Sequence, residues 1–345
     1  MRVLFRCDAG SAFGLGRLSR CRALAAAFSR AGAKSAFAVF GDDPALLGKN
    51  NFEINMLSVP RGPDHVLQVA EAADGAQCVV VDSPEVGTLE LTRLRDALSP
   101  ARLIVLDDHA DRYITAAAVV NPNLSAYQCH YDIPSDCKTV LGISYALIRP
   151  DVAESAMEFV EPPATPRIVV CMGAYDENGQ TARILDILDR IRDDFSITAV
   201  IGRNAPTVDA VRKYAATMNH ATTVEVAPKE VGRIFSGSTI GVCAGGTTAL
   251  EFACLGIPAA YLVVSEPHEE PTRVLARNGL GIYMGKAKDV GDDVLTEKLH
   301  LLIRHQHARD SMTHNGRSLV DGRGADRVLV KLSKFGIIPI EIPQP

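Results

Sequence analysis

The sequence lacks the features that mark nucleic-acid-binding and membrane proteins. It has no block of lysine and arginine, and its formal net charge is −5 over 345 residues, which argues against a nucleic-acid partner. No stretch reaches the roughly 18 apolar residues of a membrane span. Arg6 and Asp8 interrupt the short apolar N-terminus, so we expect no signal peptide. These absences predict a soluble cytoplasmic protein without a membrane span.

The spacing of the cysteines indicates neither a metal site nor a disulfide. The eight cysteines include no C-x-x-C pair, and no cysteine and histidine cluster has zinc-ligand spacing. Most of the cysteines lie within apolar patterns. We therefore predict reduced thiols that pack as small apolar side chains, and no metal.

Short apolar runs alternate with helical patterns through both halves of the chain. The predicted strands are 2–8, 35–41, 78–82, 102–108 and 118–122, then 167–171, 197–202, 223–227, 238–246 and 257–264. The predicted helices are 18–32, 64–73 and 89–98, then 180–192, 206–217 and 247–255. Such alternation is typical of parallel sheets covered by helices on both faces. The fold class is therefore α/β, with two doubly wound, Rossmann-like domains.

Three prolines fall within residues 159–167, which predicts a linker there. The predicted domains are thus 1–160 and 161–345. We expect a cleft between them, lined by the carboxyl ends of both sheets.

A glycine-rich loop follows the first strand. The stretch GSAFGLGRLSRCRALA (10–25) places Gly10, Gly14 and Gly16 where a strand passes into a helix. Ligands bind at such turns in α/β proteins. Arg17 ends the turn, and its planar cation can clamp a phosphate or a carboxylate, although it also suits a solvated helix start.

The second loop, CAGGTTALEFACLGIP (243–258), carries the strongest local motif. Gly245 and Gly246 allow backbone N–H groups to approach a diphosphate, and the hydroxyls of Thr247 and Thr248 complete an anion site. Glu251, one turn on, can accept hydrogen bonds from a ribose. The alternative is purely structural, a capping box formed by Thr247 or Thr248 with Glu251.

Four collinear motifs then show a resemblance to a known family. GG-T/S-x-x-x-E-x-x-x-x-G-x-P resembles the nucleotide-binding stretch of GT-B glycosyltransferases and their hydrolase relatives. The segments 6–25, LDDHADR (106–112), LGISYALIRPDV (141–152) and VDGRGADRV (320–328) look like the UDP-sugar hydrolase of pseudaminic-acid biosynthesis, the spore-coat SpsG-like family. The resemblance spans nearly the whole chain and implies a GT-B fold.

The resemblance implies a ligand and roles for residues. Family members hold a UDP-linked acetamido sugar and cleave its anomeric C–O bond with water, which releases the free sugar and UDP. The stretch 245–248 would hold the diphosphate and Glu251 would face the ribose. Gly173 would approach the nucleotide, and Ile201 with Gly202 would border the uracil. The nucleotide enters with the substrate, so no separate cofactor is expected.

The chain departs from the family pattern where the sugar would bind. The family's first loop reads G-x-G-H, and its histidine is the presumed base, whereas Arg17 stands here and cannot accept a proton. A D-H-Y motif becomes 82–84 (DSP). An Asn-Gln pair becomes SEPHEEPTR (265–273), where Glu269, Glu270 and Pro271 replace amides.

Other residues could supply the base. His109 follows the predicted strand 102–108 and has an unperturbed pKa suited to proton transfer. Its alternative is an ordinary surface loop. His268 lies in the altered segment 265–273 and would be nearer a bound sugar, with an ordinary exposed loop histidine as the alternative. Four acidic candidates stand at the carboxyl ends of predicted strands, which form one rim of the sheet: Asp8, Asp82, Asp107 and Asp108. For Asp107 and Asp108 the alternative is helix capping or turn formation.

The sequence is compatible with three functions. The first is a UDP-sugar hydrolase of nonulosonic-acid biosynthesis that uses Arg17, His109 and Asp8. The second is a GT-B glycosyltransferase in surface polysaccharide or flagellin glycosylation, whose acceptor carboxylate pairs with Arg17. The third is a non-catalytic nucleotide-sugar-binding protein that partners another enzyme of the pathway.

Overall fold

The computed structural model describes residues 1–42, 52–59, 61–158, 163 and 165–340. The chain divides into two compact units. The first unit comprises Met1–Leu147 together with Arg323–Pro345, and the second unit comprises Ile148–Gly322. In the described part of the chain, no helix is long and apolar enough to cross a bilayer.

The first unit is a seven-stranded parallel sheet with helices packed on it. Its strands are β1 Arg2–Asp8, β2 Lys34–Phe40, β3 Glu53–Leu57, β4 Cys78–Asp82, β5 Arg102–Leu106, β6 Ala118–Asn121 and β7 Lys138–Leu141. Its helices are α1 Gly16–Arg30, α2 Pro63–Ala72, α3 Thr88–Ala97 and α12 Gly324–Lys334. The strand order is β3-β2-β1-β4-β5-β6-β7.

The second unit repeats this architecture with six parallel strands. These are β8 Arg167–Cys171, β9 Ser196–Ile201, β10 Thr222–Val226, β11 Ile240–Cys243, β12 Ala259–Val263 and β13 Gly281–Lys286, in the order β10-β9-β8-β11-β12-β13. The helices are α4 Pro150–Met157, α5 Gln180–Asp189, α6 Val208–Ala215, α7 Val231–Ser236, α8 Gly246–Leu255, α9 Glu269–Arg277, α10 Asp292–Arg304 and α11 Gln306–Leu319. The prediction of two doubly wound Rossmann-like sheets is confirmed.

The strand order places the two glycine loops at equivalent points. In each sheet the order reverses between the first strand and the fourth strand of the unit, β1 and β4 in one and β8 and β11 in the other. Ligands of doubly wound proteins bind beside the carboxyl ends of the strands at this reversal. The loop 9–15 and Asp82 flank the reversal in the first unit. The loops after β8 and β11 flank it in the second.

The observed units divide the chain differently from the predicted 1–160 and 161–345. The chain passes into the second unit between Leu147 and Ile148, because α4 packs against α7 and α8. It returns to the first unit at Arg323, since the apolar face of α12 packs against α1 and joins the first unit's core. Of the predicted linker 159–167, residues 159–162 and 164 lie outside the described part of the chain.

Candidate functional site

The first loop is a tight turn that delivers Arg17 to the start of a helix. Gly10 and Gly14 exchange two backbone hydrogen bonds, and their φ values of 142° and 69° suit glycine. Helix α1 begins at Gly16, so Arg17 is its second residue. The side chain of Arg17 is about a quarter exposed, at 24%, and its Nε lies 3.9 Å from Oδ1 of Asp82. The loop therefore presents a permanent cation beside the reversal point.

Arg20, one turn further along α1, is the residue that sequence reasoning missed. Its Nε and Nη2 donate to both oxygens of Asp82 at 2.6 Å, and its Nη1 donates to both oxygens of Asp108 at 2.8 and 2.9 Å. Asn123 also donates to Asp108, at 2.6 Å. Burial alone would raise the pKa of Asp108, but the charge of Arg20 outweighs it and holds this pKa below its usual value. Arg20 therefore holds both carboxylates, and the lowered pKa makes Asp108 a poor proton acceptor.

Asp8 occupies the end of β1 but has no exposed surface. Its Oδ1 accepts a hydrogen bond from Arg6, whose Nε donates to Nε2 of His65 at 2.8 Å. Burial raises the pKa of Asp8, while the charge of Arg6 opposes the rise. Burial and the nearby Arg6 lower the pKa of His65 to about 4, so the ring is a neutral acceptor. The predicted catalytic role of Asp8 fits poorly with this burial, because a proton acceptor must reach its substrate.

Asp107 stabilises a turn, which was one of its two predicted roles. Its Oδ1 accepts the backbone N–H groups of His109 and Ala110 at 3.0 and 2.7 Å, and its Oδ2 pairs with Arg112 at 2.9 Å. The turn leaves His109 exposed, close enough to Asp108 for its charge to act on that carboxyl. His109 is thus an accessible titratable side chain at this end of the sheet.

In the second unit, the loop after β11 forms a helix N-terminus without a side-chain cap. Gly245 is the N-cap residue of α8 and, among the described residues, no side chain hydrogen-bonds the cap. The alternative interpretation, in which Thr247 or Thr248 caps the helix, is therefore wrong, because both residues lie inside α8. Gly245 and Gly246 have φ values of 84° and 63°. The N–H groups of this first turn are left for another acceptor.

Glu251 points to Arg149 and forms no capping box. Nε and Nη2 of Arg149 donate to its two oxygens at 2.8 and 3.2 Å. Glu251 is buried, and burial raises its pKa while Arg149 opposes the rise. Arg149 comes from the segment just before α4, within the same unit. The pair holds an oriented carboxylate on the α8 face that was predicted to meet a ribose.

Replacing Arg149 with methionine should make stability more dependent on pH. The loss of the opposing charge raises the pKa of Glu251 further, so the folded state binds more protons than the unfolded chain. Stability then falls as pH rises from the ordinary glutamate value of 4.5 towards the folded pKa. We expect R149M to lower the free energy of unfolding by about 2 kcal/mol relative to the native protein at neutral pH, and by less near pH 5, as measured by urea unfolding.

Arg233→Met, which changes an exposed pair with Glu230, is the control and should lower the free energy of unfolding by less than 1 kcal/mol. Equal losses at both pH values would contradict this account.

The other residues predicted to contact the nucleotide differ in accessibility: Gly173 faces open space, whereas Gly202 and Ile201 are packed against the protein. Gly173, just past β8, has a φ of 95°, and a Cβ built there would meet no described atom within 4 Å. Gly202 lies against the loop after β8, since a Cβ there would stand 2.0 Å from the carbonyl oxygen of Ala174. Ile201 is 1% exposed and packs in the second unit's core. The side chain of Ile201 therefore faces the core, and its place beside the uracil stays a prediction.

The acidic segment that replaces the expected amides is bound by cations. Glu269 pairs with Lys286 and Arg273 at 2.8 and 2.9 Å, and these two contacts lower its pKa to about 2. Glu270 pairs with Arg277 at 3.1 Å. Their carboxylates are therefore occupied. Across the described ranges, no three potential metal ligands lie together, and the expectation of no metal stays a prediction.

Comparison with known protein sequences found a curated relative but no family model. No protein-family model matches the sequence. A curated relative is the spore coat polysaccharide biosynthesis protein SpsG of Bacillus subtilis (strain 168). It is 22% identical over 242 residues, which are 69% of this chain and 71% of the relative.

Solved structures resemble the chain over almost its whole length. The UDP-GlcNAc 2-epimerase from Neisseria meningitidis, bound to UDP-GlcNAc, is 14% identical with a TM-score of 0.63, covering 97% of this chain and 100% of its own. The calicheamicin glycosyltransferase CalG4 is 14% identical with a TM-score of 0.62, covering 98% and 99%. At such identities the likeness concerns architecture. The chain has the two-domain GT-B fold.

Proposed function

We propose that the chain binds a UDP-linked sugar and cleaves the bond between the sugar and the diphosphate. The observation that carries this proposal is the uncapped N-terminus of α8 at the strand reversal of the second unit, entered through Gly245 and Gly246. Backbone N–H groups and the helix dipole favour a diphosphate there. The bound UDP-GlcNAc of the Neisseria epimerase, on the same fold, supports the same ligand class.

We propose water as the nucleophile and His109 as the group that takes its proton. His109 is exposed, whereas each of the four rim carboxylates is bound by an arginine. The transition state at an anomeric carbon has oxocarbenium character, so a modest base suffices. The substrate proposed is a UDP-linked diacetamido-trideoxy sugar of nonulosonic-acid biosynthesis, and the products are the free sugar and UDP. The motif resemblance and the similarity to SpsG support this choice.

One observation favours a glycosyltransferase as the second candidate. Arg17 keeps a quarter of its side chain exposed, and its contact with Asp82 is long at 3.9 Å. A guanidinium in that condition can bind the carboxylate of an acceptor sugar. The first unit would then supply an acceptor site in place of a water-activating site.

Release of UDP from the proposed sugar nucleotide separates the candidates. Hydrolysis predicts UDP release without any acceptor, and His109→Gln should lower kcat about 100-fold or more, because loss of a general base typically has this effect. His130→Gln, which changes an exposed histidine of the same unit, is the control and should leave kcat unchanged. UDP release only after an acidic acceptor sugar is added would contradict hydrolysis and indicate transfer. In that case Arg17→Gln should raise the KM for the acceptor.

A further inference from the structure

An imidazole stands over the first residue of the candidate diphosphate helix. The ring of His268 lies 3.3–3.5 Å from the position that a Cβ on Gly246 would occupy. His268 is the N-cap residue of α9 and its side chain is exposed. Any anion that accepts the first N–H groups of α8 would therefore approach this ring. A side chain at position 246 would therefore occupy part of the space between the ring and the helix.

The charges around His268 do not oppose an anion. The neighbouring glutamates are all ion-paired, Glu266 and Glu269 with Lys286, Glu269 also with Arg273, and Glu270 with Arg277. The segment is thus acidic in sequence but compensated in charge. A second cation, Lys288, reaches Glu266 at 3.5 Å.

A buried hydroxyl at the same place gives an independent indication of a ligand. Thr272, one turn along α9 from His268, is 0% exposed. Its Oγ1 lies 2.5 Å from the position of a Cβ on Gly245, and it has no hydrogen-bond partner among the described residues. A buried hydroxyl without a partner is costly and needs an explanation. An acceptor bound at the α8 N-terminus would provide one.

We propose that His268 is a binding residue for the nucleotide, and that its imidazole N–H donates a hydrogen bond to the terminal phosphate of UDP at the N-terminus of α8. The inference rests on the proposed function, since it names the residue that recognises the second phosphate. When the sugar's C1–O bond breaks, its electron pair stays on an oxygen of that phosphate. The hydrogen bond from His268 stabilises the charge that develops there.

The test compares ligands that differ in phosphate number. Calorimetric titration of native protein with UDP, UMP and uridine gives the contribution of the terminal phosphate. His268→Ala should weaken UDP binding about 10-fold, the loss of one hydrogen bond to a charged group. Binding of UMP and uridine should be unchanged. His268→Gln, which keeps an N–H donor, should recover part of the UDP affinity, as a merely structural residue would not.

The control is His307→Gln, which changes an exposed histidine on α11 and should leave all three affinities unchanged. Equal UDP affinity in H268A and native protein would overturn the role of His268 while leaving the nucleotide site intact. Equal weakening of UMP and uridine would also overturn it, because the ring would then act on the loop as a whole. Failure of native protein to bind UDP would instead reject the proposed function itself.

Discussion

Replacing Arg20 with methionine is expected to lower the free energy of unfolding by about 3–5 kcal/mol. Arg20 is the shared partner of Asp82 and Asp108, and Asp82 has only 2% of its side chain exposed. Without the guanidinium, both carboxylates would lose their shared cation, and Asp82 would be left with little access to solvent. Removing one partner of a buried ion pair leaves an uncompensated charge, and this charge accounts for most of the lost stability. Urea unfolding followed by circular dichroism measures it.

The same helix provides a matched control for Arg20. Arg30 pairs with Asp326, and both side chains are at least half exposed. Arg30→Met should therefore lower the free energy of unfolding by less than 1 kcal/mol. The double variant R20M/D82N should recover part of the loss, since it removes one of the two stranded charges. Similar effects of R20M and R30M would show that the network contributes little to stability.

Replacing Gly246 with valine is expected to weaken UDP binding at least about 100-fold. The residue has a φ of 63°, which a β-branched side chain tolerates poorly, and its Cβ would stand 3.3 Å from the ring of His268. The valine would also fill the space that phosphate oxygens need at the α8 N-terminus. Calorimetric titration with UDP measures the effect.

Gly75→Val separates backbone strain from the ligand site. Gly75 has a φ of 69°, and a Cβ there would meet no described atom within 4 Å. Its substitution should cost stability but leave UDP affinity unchanged. Native-like UDP binding by G246V would place the diphosphate elsewhere.

The central strands were predictable from the sequence, whereas of the described edge strands only β10 was predicted and β3, β7 and β13 were missed. The bounds of β1 and β4 match their predicted ranges, because strands buried on both faces read as continuous apolar runs between polar ends. The edge strands β3 and β7 are short and half exposed, so their patterns lack a clear apolar run. Helix α12 shows a related limit, since its amphipathic pattern cannot reveal which of two units its apolar face will meet.

The candidate site shows the same division between local and distant information. The glycines predicted loops after the first strand and after the strand at 238–246, and the structure has loops after β1 and β11. The pairing partners could not be predicted, because Arg20 and Asp82 are 62 positions apart and Arg149 and Glu251 are 102 apart. A signal was present for Arg20, which follows Arg17 by one helical turn and so shares its face. No local pattern pointed from Arg149 to Glu251.

Titration of the native protein with UDP tests the central claim most directly. We expect saturable binding at one site, with UDP bound more tightly than uridine because the α8 N-terminus holds the phosphates. We also expect this difference to disappear in G246V. Absence of UDP binding by folded native protein, or equal affinities for UDP and uridine, would contradict the claim that this chain is built to bind a nucleotide diphosphate.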